Sequence, residues 1–155
     1  MKKRVLCLVL AVLSVLCTCL IGCSDEPQFI PPAFDSAAVA GVPDIAVGEH
    51  GYDMKDAYGV YKVGVCGEVR VDGGKADVYL TNDAQNNVWL KLRVQDKKTG
   101  AILGETGLIK PGEYVRSISF TKAPLVGVEI TLRVMSYEPD TYYSKGEVLI
   151  HTIAS

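Results

Sequence analysis

His50 and His151 are the two histidines of the chain, and nucleophilic hydrolysis would need one of them beside a serine or cysteine. His50 lies in a stretch interrupted by Pro and Gly, whereas His151 lies in a C-terminal apolar alternation, so a shared site is not expected. Zinc requires closely spaced nitrogen and sulfur ligands, which two distant histidines and Cys66 do not provide. Asp72 and Asp77 flank one turn and Asp83, Asn86 and Asn87 crowd another. Calcium would need several oxygens converging in one loop, and turn-forming preference already explains all five residues. Glu105 and Glu113 could be named as a glycosidase-like carboxylate pair, but a small sandwich offers little cleft between them. No catalytic residue, metal ligand or cofactor is assigned.

The aromatic residues are more informative. Trp89 and Tyr79 fall on the parity opposite to the apolar positions Val88, Leu90, Leu92 and Val78, Leu80. They are expected on an outer sheet face with Lys91 and Arg93, where an aromatic beside fixed cations can stack a sugar ring or anchor a protein. Two structural alternatives stay open: residues 34–47 cover Trp89, or a bulge turns it into the core. Tyr142 and Tyr143, with Tyr137, surround Pro139-Asp140. Tyr-rich loops bring large contact area at low entropic cost, and a structural corner is the competing role.

The elements that must position these residues read as strands. Val88, Leu90, Leu92 and Val94 alternate with Trp89, Lys91, Arg93 and Gln95, and Val128, Ile130, Leu132 and Val134 alternate likewise. Weaker alternation occurs at 63–71, 76–82, 101–106, 114–121 and 146–153, between Gly-, Pro- and Asn-rich turns. Seven short strands in residues 63–155 predict an all-β, antiparallel, immunoglobulin- or fibronectin-III-like sandwich. If neighbours run antiparallel, loops 83–87, 107–113 and 139–145 share one rim, and turns 72–75, 97–100 and 122–127 share the other.

The N-terminus fixes an address. Lys2-Lys3-Arg4 precedes an uncharged run from Val5 to Gly22, and Leu20-Ile21-Gly22-Cys23 resembles the lipobox of bacterial lipoprotein signal peptides. That likeness implies a signal peptide over 1–22 and a lipid on Cys23, anchoring the protein to the outer side of the cell membrane. An uncleaved spanning helix is the alternative. Without residues 1–22, 13 basic side chains face 18 acidic ones, a formal charge of −5, which argues against nucleic acid as a partner. Three of the five cysteines leave with the signal and Cys23 is lipidated, so Cys66 stays alone, a small buried hydrophobe with no disulfide. Residues 23–62, with Pro27, Pro31, Pro32 and Pro43, read as a tether reaching roughly 35 Å. Phe34, Val39, Val42 and Ile45 are more apolar than a spacer requires, so part of it is a candidate for docking on the domain as an edge strand.

Thr81-Asn82, Asn87 to Arg93 and Leu103 to Tyr114 carry a resemblance to uncharacterised small surface lipoproteins of Gram-positive gut bacteria. It extends over roughly residues 34–155 and implies surface localisation and an immunoglobulin-like domain, with no activity or site to transfer. The resulting expectation is a non-enzymatic, lipid-anchored envelope module that binds a protein or glycan partner. The alternative is a structural subunit of a larger surface or secretion assembly.

Overall fold

In the computed structural model, which describes residues 29–155, Pro31–Ser155 forms one compact unit. The described residues contain ten strands: β1 (Val39–Ala40), β2 (Tyr52–Ala57), β3 (Tyr61–Cys66), β4 (Val71–Asp72), β5 (Lys75–Asn82), β6 (Trp89–Asp96), β7 (Ile102–Glu105), β8 (Glu113–Ser119), β9 (Glu129–Tyr137) and β10 (Ser144–Ile153). They build two antiparallel sheets, one ordered β1-β8-β5-β3-β2 with β4 on β5, the other β10-β9-β6-β7. Each of the seven expected segments carries a strand, and β1, β2 and β4 are additional.

Alternation places the core. Val63 and Val65 of β3, Val78 and Leu80 of β5 and Val115 of β8 face Leu90, Leu92 and Val94 of β6 and Ile130, Leu132 and Val134 of β9, all essentially inaccessible to water. Each such side chain contributes about 1.5–3 kcal/mol on burial. Among the described residues no disulfide joins the sheets, since Cys66 is free.

Much of the stretch 23–62 read as a tether is folded onto the domain. The boundary at 62 and 63 falls inside β3, and β2 pairs with β3 along its whole length, from Tyr52 opposite Cys66 to Ala57 opposite Tyr61. The docking of the apolar stretch is real. Val39 and Ala40 pair with Tyr114 and Glu113 at the edge of the first sheet, and Phe34 forms a parallel bridge with Leu108. Gly107 permits that bridge: a Cβ there would meet the Asp35 Cα at 2.6 Å, and its N–H donates to Asp35 Oδ2 at 2.7 Å. Residues 1–28, with the stretch read as a signal peptide and Cys23, lie outside the described residues.

Register settles the rims. Leu80 pairs with Val115, and Trp89 with Tyr137, so loops 83–87, 107–113 and 138–143 lie at one pole. Asn82 and Asn86 pin that pole from within. Buried Asn82 donates through Nδ2 to the Val88 and Ile109 carbonyls at 2.8 and 3.1 Å, and Asn86 Nδ2 donates to Asn82 Oδ1 at 2.6 Å. At the other pole, the Val71 N–H donates to the Ser155 carbonyl at 2.7 Å, joining the two sheets.

Candidate binding groove

After β1 the chain crosses the outer face of the first sheet as a strap, residues 41–47, and returns as β2. Between strap and sheet lies a groove of about 610 Å³, within the size range of small-ligand and peptide sites. The strap supplies Val42, Pro43, Ile45 and Val47, and the floor supplies Tyr52 and Met54. Lys62, Thr81, Asp83 and Gln85 place polar groups at one end.

The floor depends on Gly64. A side chain there would meet Met54 Sδ at 2.7 Å and the Tyr52 ring at 2.9 Å, so only glycine lets these residues lie down on β3. Tyr52 then donates its hydroxyl to Thr81 Oγ1 at 3.1 Å. Burial pushes the Tyr52 phenol above its ordinary pKa, which keeps it protonated as a donor. Cys66 lies under the same cover, and burial pushes its thiol up to about 11, far from a reactive thiolate. The groove thus offers apolar walls, one fixed hydroxyl pair and a lysine, an arrangement that can hold a ligand.

The residues singled out by sequence fall in three places. Lys91 and Arg93 do share the outer face of the second sheet, but both bind Glu105 of β7, at 2.8 and 3.0 Å, and Lys91 is buried. Trp89 is on that face too, half-buried between Phe34 at 4.8 Å and Tyr142 at 5.3 Å between ring centroids, both edge-to-face. Of the 34–47 stretch, Phe34 is the residue that covers it. Tyr79 belongs to the opposite sheet, at the β5 bulge with φ +44, where Arg116 lies 5.7 Å above its ring. Tyr142 packs on Trp89, whereas Tyr143 is 72% exposed at the pole.

No family model, curated protein or solved structure matches this chain.

His50 lies in the short 3-10 turn Glu49–Gly51 before β2, its carbonyl accepting from Glu68 N–H beyond β3, whereas His151 is on β10 of the other sheet, its Nδ1 3.0 Å from Thr131 Oγ1 on β9. A second, polar cleft of about 380 Å³ brings His50, Glu68, Arg70, Asp72, Lys75 and Asp77 together with mixed charge. Among the described residues no three potential metal ligands converge. Sequence reading missed the groove because its walls come from segments read as tether. The surplus of apolar residues at 39–47 was the signal for it.

Proposed function

We propose that this protein is a non-enzymatic envelope binding module, held to the cell membrane by lipid on Cys23, which seats a segment of a protein or glycan partner in the groove beneath residues 41–47. The groove, with its apolar roof over a fixed polar end, is the observation that carries the reading. Its walls favour an extended protein segment with apolar side chains, which would bury them against Ile45 and Met54.

We also read the sandwich as fibronectin-III-like within the immunoglobulin-like class. Support comes from the order β3-β5-β8 facing β10-β9-β6-β7, in which the fourth core strand, β7, pairs with the third, β6. On this reading β1 and β2 are additions that create the groove.

Met54→Lys should block the groove without touching the core, since Met54 is 37% exposed. Immobilised mature protein would be challenged with envelope extract and a glycan array, beside the variant. Retention by the wild type that Met54→Lys loses supports the reading, and equal retention, or none by either, contradicts it.

A structural subunit is the second reading. β10 ends its sheet with one side free of any strand among the described residues, and Leu149 and Ile153 are exposed along it. Such an edge can add a strand from a neighbour, and concentration-dependent oligomers in size-exclusion chromatography would favour this role.

A further inference from the structure

We infer that the pole carrying loops 57–60 and 138–143 docks on the lipid headgroup region of the membrane, an orientation that rests on the lipid-anchor reading. Chain length makes the first argument. Ala33 is fixed at this pole, its carbonyl accepting from Leu108 N–H at 2.9 Å while Asp35 N–H donates to the Leu108 carbonyl at 2.9 Å. Nine residues lie between Cys23 and Ala33, so the ten steps from one to the other span at most about 35 Å when fully extended. The ten residues of β10 alone run pole to pole, roughly 33 Å. Presenting the far pole to the membrane would consume the whole connection in full extension, whereas the near pole reaches it with chain to spare.

The chemistry of the near pole makes the second argument. The β2–β3 hairpin ends in Tyr58, 93% exposed, followed by Val60, 49% exposed. Tyr58 adopts φ +56, a left-handed conformation costly for a bulky side chain, at the very tip of the turn. Tyr143, 72% exposed, projects from the neighbouring loop. Tyrosine suits the membrane interface because its ring is apolar and its hydroxyl can stay hydrated. The far pole also exposes apolar residues, Leu125 and Val126, but they are aliphatic and the connection does not bring them to the lipid.

Charge does not drive the docking. Lys145 pairs with Glu138 at 3.2 Å, and Asp56, Asp83, Glu113 and Asp140 outnumber Lys62 and Lys110, so the pole is net acidic and added salt should not weaken the docking. Tethering raises the effective concentration of the pole at the surface to the millimolar range, so weak intrinsic affinity suffices.

The test uses the full chain, processed and lipidated in a bacterial host, in vesicles of phosphatidylcholine and phosphatidylglycerol with brominated acyl chains. Trp89 is the single tryptophan, so Trp89→Phe provides a dark background for Tyr143→Trp at the near pole or Val126→Trp at the far pole. Mass spectrometry of the N-terminal peptide and vesicle flotation report the anchor separately. With lipid confirmed, quenching several-fold stronger for Tyr143→Trp than for Val126→Trp is expected, not weakened by added salt. Equal quenching of both probes, or none, overturns the orientation while leaving the anchor intact. A blue shift of the Tyr143→Trp probe without quenching would mark a protein contact at this pole and also overturn it. Absence of lipid on the peptide would instead remove the anchor reading.

Discussion

The Tyr52 hydroxyl reaches across β3 to donate to Thr81 on β5 at 3.1 Å, and the glycine at position 64 between them makes the reach possible. Gly64→Ala forces Tyr52 and Met54 off the strand, an overpacking cost of about 1–3 kcal/mol. Thermal unfolding should show a fall of several degrees, together with weakened binding in the groove. An unchanged melting temperature with unchanged retention would mean the floor is not held in this way.

Trp89 is a clasp for the arriving chain rather than a free platform. Phe34 and Tyr142 approach its ring edge-to-face, pairs worth about 0.5–1.5 kcal/mol beyond area burial. A double-mutant cycle on Phe34→Ala and Trp89→Ala should return a coupling of about 1 kcal/mol. Phe34→Ala alone should shift tryptophan emission to the red, because the ring loses its cover. Strict additivity and an unmoved spectrum would refute the clasp.

Partial burial pushes the Glu105 carboxyl up, but hydrogen bonds and attraction from Lys91 and Arg93 outweigh it and hold the pKa below its ordinary 4.5. A carboxylate lowered on folding stabilises the protein above its unfolded pKa, and the contribution fades as pH falls through the folded value. Glu105→Gln should therefore cost stability at pH 7 while narrowing the gap to wild type as the pH drops below about 4. Glu105 is partly exposed, so about 1 kcal/mol is expected rather than the value of a dry pair. Urea titrations of both proteins at neutral and acid pH measure the difference, and a gap that widens on acidification would reverse the sign.

Cys66 should resist thiol reagents while the domain is folded. Burial pushes its thiol pKa up to about 11, so both thiolate fraction and access are low at pH 8. Labelling by an aromatic disulfide should track global unfolding with added urea; rapid reaction of the native protein would show an opening of β2 from β3.

Strands buried on one face announced themselves, because Leu90, Leu92 and Val94 or Ile130, Leu132 and Val134 alternate without interruption. β2 did not, since four of its six residues, Asp53 to Asp56, are exposed at a sheet edge, and Gly48, Gly51 and Gly59 bracket it like a loop. Parity put Trp89, Lys91 and Arg93 on an outer face, yet it says nothing about what approaches from elsewhere in the chain. Glu105 arrives from β7 and Phe34 from a segment read as tether, and both long-range contacts are set by sheet order. Tyr79 was grouped with Trp89 because both oppose apolar stripes; assignment of β5 and β6 to different sheets separates them.

Site-specific photocrosslinking on intact cells tests binding in the groove most directly. A benzophenone side chain would replace Val47 at the rim of the groove, or Val126 at the far pole, in the full chain. The account predicts a light-dependent adduct from position 47 that is weak or absent from position 126. Equal adducts from both positions, or none from position 47 on cells that express the protein, would contradict it.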